Sequence, residues 1–182
     1  MGSKNPPKKR RRGNGGPTNG KGRALRTVSV EDLGGVLERH RLWVGSGWEM
    51  GQRADLRGAN LCKADFAEAQ LEWADFSAAD LSEANLGDAD LEDANLHGAD
   101  LHGANLSGAN LRWADLTEAD LTGANLQGAD LTDTDLAEAD LAAADLSDAK
   151  GLTQDALDAA TGDALTRLPE GLTVGTGGKQ PH

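Results

Sequence analysis

Hydrophobic positions in this chain recur every five residues. From residue 54 the sequence reads Ala54-Asp55-Leu56-Arg57-Gly58, Ala59-Asn60-Leu61-Cys62-Lys63, Ala64-Asp65-Phe66-Ala67-Glu68, and the register holds for 19 consecutive units. The third position is Leu or Phe every time: Leu56, Leu61, Phe66, Leu71, Phe76, Leu81, Leu86, Leu91, Leu96, Leu101, Leu106, Leu111, Leu116, Leu121, Leu126, Leu131, Leu136, Leu141 and Leu146. The first position is Ala except at Thr134, and the second is Asp in 12 units, Asn in six and Gln70 in one. The fourth and fifth positions vary freely. A period of five fits neither the 3.6 of a helix nor the 2 of a strand, so the chain must turn once per unit. If each unit is a short extended piece plus a turn, Leu and the Ala two residues earlier point inward while the other three side chains point out. Gly58, Gly98, Gly103, Gly108, Gly123 and Gly128, all at the fifth position, suit a corner that needs backbone freedom. The pattern predicts an all-β solenoid whose core is those 19 side chains.

The unbroken tandem Ala-(Asp/Asn)-(Leu/Phe)-x-x over residues 54–149 resembles the pentapeptide-repeat family. That resemblance implies a right-handed quadrilateral β-helix of just under five coils with four units per coil. At about 4.8 Å between stacked strands such a rod is about 23 Å long.

Solenoid ends expose strand edges and an open apolar axis, and short helices at both ends are expected to cap them. Ser29-Val30-Glu31-Asp32 reads as a helix start with Ser29 as N-cap, and Leu33, Val36 and Leu37 form an apolar stripe that can plug the first coil. His40-Arg41-Leu42-Trp43 through Gly51-Gln52-Arg53-Ala54-Asp55-Leu56 is similar to the leader segment found before the repeats in many bacterial members. Downstream, Leu152 to Ala160 reads as a short helix capped by Thr153 and ended near Gly162, with Leu165 and Leu168 helping to seal the far end. The expected organisation is a disordered basic tail at 1–24, a capping helix and leader at 25–53, the β-helix at 54–149, a C-terminal cap at 150–170 and a disordered tail at 171–182.

Composition sharpens this picture. Aromatic residues make up 3% of the 182 residues, with no Tyr and two Phe, so large side chains cannot fill a globular core. The single Cys62 excludes an internal disulfide framework, and no apolar run approaches the ~20 residues of a membrane span. A cytoplasmic, reducing setting without membrane contact is expected, because no apolar segment follows the basic N-terminal residues. The formal charge is −12, but residues 1–53 hold 12 basic and 4 acidic side chains, whereas residues 54–149 hold 3 basic and 22 acidic. The repeats therefore carry about one net charge per 1.2 Å of axis, against one per ~1.7 Å for duplex DNA.

Taking every fourth unit as one face, Asp55, Asp75, Asn95, Asp115 and Asp135 form one ladder and Asn60, Asp80, Asp100, Asp120 and Asp140 the next. The third, Asp65, Asn85, Asn105, Asn125 and Asp145, allows an Asn stack to hydrogen-bond along itself, and the fourth is Gln70, Asp90, Asn110 and Asp130. Adjacent carboxylates repel by roughly 0.9 kcal/mol even in water, which counterions or a cationic partner would relieve. Because Asp at the second position comes with the family, the acids fit a solvated surface as well as one recognising a basic partner.

Trp73 and Trp113 share the fifth position of the fourth face, with Arg112 beside the second, a composition that suits either a binding hot spot or indole packing at a corner. Trp43 and Trp48 fall in the cap and read as structural. His97 and His102 lack a third ligand, Cys62 lacks an activating His, and Gly15 to Lys21 lacks the Ser or Thr of a phosphate-binding loop. No cofactor, metal or catalytic residue is expected, since a regular row of exposed Asp cannot push two carboxylate pKa values apart. Lys8-Lys9-Arg10-Arg11-Arg12 is a solvated tail or a binding or targeting signal, so nucleic-acid binding is left to this tail rather than to the rod.

Two functions follow. One is a non-enzymatic interaction module, a rigid acidic rod for a protein with a basic or DNA-binding surface, the chain being a monomer or weak dimer. The other rests on the resemblance: some family members mimic DNA, bind DNA gyrase or topoisomerase IV and modulate quinolone-type inhibition. Length argues against the second, since about 23 Å spans only about seven base pairs.

Overall fold

The repeat folds because it satisfies its own backbone. In the unit 79–83, Ala79 N–H donates to Phe76 O (2.9 Å) across the corner, and Asp80 N–H to Ala59 O (2.9 Å) one level below. Leu81 N–H donates to Asp100 O (2.7 Å) and Glu83 N–H to His102 O (2.8 Å), both one level above. That leaves the fourth-position N–H of Ser82, which the Asp80 carboxylate accepts at 3.0 Å. A second-position side chain accepts the N–H two residues on in 18 of the 19 units. Asp and Asn reach this position and Gln70 is one methylene too long, which gives the Asp/Asn preference a structural cause.

The computed structural model describes residues 25–174. The basic run at 8–12, the glycine-rich stretch at 15–21 and residues 175–182 lie outside the described residues. Parallel bridges join residue i to residue i+20, from Asp55↔Asp75 through Asn125↔Asp145 and Asp130↔Lys150, in four ladders with the membership expected above. The chain thus returns to the same face every 20 residues. All 19 third-position side chains are buried, as are most of the first-position Ala; burying each Leu contributes about 1.5–3 kcal/mol. Phe66 and Phe76, on opposite faces of the column, meet edge to face across the axis with centroids 5.9 Å apart. Thr134 is buried and donates its hydroxyl to Leu111 O (2.7 Å), so the polar atom costs little.

The fifth position is less free than the sequence suggests. Its φ lies between 55° and 69° in all 19 units, 13 of them not glycine. This left-handed region disfavours β-branched side chains, and none stands at the fifth position, whereas Thr117, Thr122 and Thr132 stand at the fourth.

Both ends extend the ladder beyond the repeats. Strand β1 (Arg26–Thr27) pairs in parallel with β2 (Ala59–Asn60), a level below the first coil that the periodicity did not signal. Helix α1 (Val30–Gly45) starts at Ser29, whose hydroxyl oxygen accepts from Asp32 N–H (3.0 Å), and packs Leu33, Val36 and Leu37 against the core. Helix α2 (Gln154–Asp158) is capped by Thr153, whose hydroxyl oxygen accepts Ala156 N–H (3.2 Å).

Pairing does not stop at residue 149: Lys150, Thr161 and Arg167 continue three ladders, the last two with steps of 21 and 22 residues that accommodate α2. Leu165 does not help to seal this end and is 69% exposed. The Asp163 carboxylate collects the N–H groups of Ala143 (2.9 Å), Leu165 (2.9 Å) and Thr166 (3.1 Å), a turn that holds Leu165 outside. Leu157 is buried in its place, and Leu168 packs half-buried. Residues 171–174 are not a loose tail: Gln154 donates to Thr173 O (2.7 Å) and accepts Thr173 N–H (3.2 Å), while Leu172 and Val174 pack on the core. Among the described residues no helix is long and apolar enough to cross a membrane.

Candidate interaction surface

The second-position carboxylates belong first to their own turns, and this changes what they can offer a partner. Asp75 and Asp100, expected on an outward surface, are 7% and 9% exposed. Arg53 and Arg57 each lie 3.7 Å from the Asp75 carboxylate and cover it, and Asp100 sits mid-ladder with its carboxylate accepting His102 N–H (3.2 Å). Asp55 is gripped by Arg57 at 2.9 and 2.7 Å, which holds its pKa down to about 2. Asp80, Asp115, Asp120, Asp135 and Asp140 likewise each accept the N–H two residues on. Asp115 also accepts the Thr117 hydroxyl (2.6 Å), whose oxygen lies 2.7 Å from His97 Nδ1.

On the third face the amide ladder is continuous. Asn85 Nδ2 donates to Asp65 (3.0 Å), Asn105 to Asn85 (2.9 Å) and Asn125 to Asn105 (3.2 Å). Higher on that face, Arg167 donates to Asp145 at 3.2 Å.

Trp73 and Trp113, which the sequence offers either as a hot spot or as corner packing, belong to different settings, because Asp93 occupies the same column position one level above Trp73 and one below Trp113. Arg112 lies over the Trp113 ring with its guanidinium carbon 4.7 Å from the centroid, and pairs with Asp130 at 3.6 Å. The Trp113 indole N–H donates to Asp133 (3.2 Å). The Thr132 hydroxyl, assisted by Arg112, keeps the Asp130 pKa below its ordinary value. This corner is satisfied within the chain.

Trp73, 41% exposed, instead meets the N-terminal end of the molecule. Its ring packs edge-on to Trp48 (6.4 Å), Trp48 lies 6.1 Å from Trp43, and Trp43 stacks on His40 (5.8 Å). His40 is buried and its Nδ1 accepts Ala54 N–H (3.1 Å), pinning α1 to the first repeat; burial pushes its pKa down. Trp48, expected as a structural cap residue, is 61% exposed despite its two ring contacts, and Leu42 and Met50 are exposed nearby in sequence. Its φ of 75° directs the loop outward, a conformation that no feature of the sequence announces.

The remaining candidates carry little. Among the described residues no group of His, Cys, Asp and Glu could hold a metal ion, and Cys62 is a free exposed thiol. A cleft of about 370 Å³ between β1, α1 and the first coil is lined by Arg26 and Arg39 but equally by Asp32 and Asp55, so it selects neither sign of charge.

A family model for pentapeptide repeats matches residues 52–82, 74–112 and 114–150 in 8 copies. No curated protein matches the chain. Among solved structures, a pentapeptide repeat protein of the cyanobacterium Cyanothece 51142 is 29% identical over 63% of this chain and 88% of its own, with a TM-score of 0.46. A pentapeptide repeat protein involved in heterocyst differentiation regulation in the cyanobacterium Nostoc sp. strain PCC 7120 is 34% identical over 60% of this chain and 62% of its own, with a TM-score of 0.35. QnrB1, a plasmid-mediated fluoroquinolone resistance protein, is 18% identical over 64% of this chain and 70% of its own, with a TM-score of 0.38.

Proposed function

The chain belongs to the pentapeptide-repeat family, generally a non-enzymatic repeat fold of right-handed quadrilateral β-helices, and on that premise we propose that it is a macromolecular interaction module. In this reading, residues 54–149 form just under five coils closed by α1 and α2, a rigid acidic column that displays fourth- and fifth-position side chains to a protein with a basic surface. One observation carries it: the second-position acids are spent on the backbone, so the variation left to evolve is confined to the outward positions, where the acids far outnumber Arg57, Lys63 and Arg112. The DNA-mimic reading is the weaker one. The second-face ladder from Thr27 to Thr161 has six steps, or about 29 Å at 4.8 Å each, which matches fewer than about ten base pairs.

Partner capture by the intact chain, repeated at raised salt and with Trp73→Ala plus Trp113→Ala, tests the proposal. Partners rich in Lys and Arg that are lost at high salt support it, and retention indifferent to salt contradicts it. A gyrase supercoiling assay with and without a quinolone tests the second reading, and no effect at micromolar protein removes it.

A further inference from the structure

The column compares two of its own corners. Trp73 and Trp113 stand two levels apart in one ladder, so the residues around them correspond by a shift of 40: Glu72 to Arg112, Asp90 to Asp130, Glu92 to Thr132 and Asp93 to Asp133. At the upper corner the chain supplies a guanidinium over the indole and two carboxylates one level above, Asp130 for the guanidinium and Asp133 for the indole N–H. At the lower corner the carboxylates and the indole are present, but Glu72 stands where the arginine is, and the Trp73 indole N–H has no acceptor among the described residues, unlike that of Trp113.

Several independent observations mark this corner as unfinished. Glu72 Oε2 is buried without a hydrogen-bond partner, as is Nε2 of His40, whose ring lies against the Glu72 backbone, so the chain leaves polar groups unmatched where the cap meets this corner. Glu72, Asp90, Glu92 and Asp93 have no ion-pair partner among the described residues; the Asn110 amide serves both Asp90 (2.9 Å) and Glu92 (3.2 Å). Burial, with neighbouring carboxylates adding to it, raises the pKa of Glu72 and of Asp93 above the ordinary range. The exposed Trp48 ring extends the aromatic wall beside Trp73. The same unit, 69–73, is the one whose second position is neither Asp nor Asn.

We propose that the corner formed by Trp48, Trp73, Glu72, Asp90, Glu92 and Asp93 is the receptacle for an arginine side chain on a basic segment of another protein. The incoming guanidinium lies against Trp73 as Arg112 lies against Trp113, and donates to Glu72 and to the carboxylates above it. This inference rests on the reading of the column as a module for basic partners and locates where the first side chain seats.

The probe is a blocked pentapeptide, acetyl-Gly-Arg-Gly-Arg-Gly-amide, titrated into the full chain while the tryptophan indole N–H resonances are followed by NMR. The expected result is a saturable shift of Trp73 and Trp48 with Trp113 unmoved. Glu72→Arg rebuilds the Trp113 corner, which the fold already accommodates, and should weaken peptide binding by about tenfold or more. Glu72→Gln, which removes only the charge, should weaken it less. Equal shifts at Trp113, or affinity unchanged by Glu72→Arg, overturn this corner while leaving the acidic column as a binding module. Absence of any salt-sensitive binding to the chain overturns both.

Discussion

The N-terminal and C-terminal ends of the column solve one problem in opposite ways. Both must supply partners for a coil that has no next coil. The N-terminal end brings in new parts: a 16-residue helix, strand β1, and a file of rings from His40 through Trp43 and Trp48 to Trp73. The C-terminal end stretches the repeat itself, inserting α2 and resuming the ladders at Thr161 and Arg167. The first solution leaves the Trp48 and Trp73 rings at the surface, and the second leaves Leu165 outside on a turn built around Asp163. In this column the ring-to-ring contacts gather where the repeat meets its cap, and that junction is where we propose that recognition occurs.

The comparison breaks most readily at the C-terminal seal. Leu157→Ala should cost about 2–5 kcal/mol in urea unfolding, whereas the exposed Leu165→Ala should stay within about 0.5 kcal/mol. Equal effects would mean the seal lies elsewhere. At the other end, His40→Ala deprives Ala54 N–H of its acceptor and should cost about 1–3 kcal/mol. Hydrogen exchange should then quicken in α1 and the first coil while residues 139–167 keep their protection.

The two ends should also differ in pH response. Burial lowers the His40 pKa, so its contribution is complete above an unfolded value of about 6.5 and is lost as pH falls through the lower folded value. Glu72, raised chiefly by burial, has the opposite sign: its contribution is complete below the ordinary carboxylate value and declines as pH rises through its folded pKa. Amide protection factors, which remove the intrinsic slowing of exchange toward lower pH, should therefore fall at α1 and not near α2 between about pH 7 and pH 5; His40→Phe should abolish that fall, and Glu72→Gln, which removes the opposing contribution, should not. Asp55, at about 2, keeps its Arg57 pair to far lower pH.

The smallest expected effect lies in the repeat itself. Ala143→Gly, at a left-handed corner, should stabilise by up to about 1 kcal/mol, and the adjacent Ala142→Gly should destabilise by a similar amount. The same sign for both would mean the corner is not strained.

How legible the molecule is in its sequence follows the same division. Leu56 to Leu146 announce the axis through strict spacing, and Ser29 and Thr153 announce their helices because capping is a local rule. The left-handed fifth position was legible only through its six glycines; the absence of Val, Ile and Thr there takes on meaning once the φ values of the other 13 are known. Strand β1 was not, since two residues carry no periodicity, and neither was the exposure of Leu165, which depends on the three N–H groups gathered by Asp163. Trp73 and Trp113 looked alike in sequence because the register places both on one corner; what separates them is the fourth-position residue and the neighbouring cap loop. Gln70, the odd second position, was the one local sign that the lower corner departs from the rule.

The surface reading depends on the twenty-residue return that brings Asp90, Glu92 and Asp93 beside Trp73. The direct test is an electron-spin distance between labels at Ala67→Cys and Ser147→Cys in a Cys62→Ser background, 80 residues apart in sequence and four levels apart on one face. The account predicts a narrow distribution at about 19 Å before the label linkers are added. A broad distribution centred near the ~50 Å of an unstructured chain of that length would contradict it.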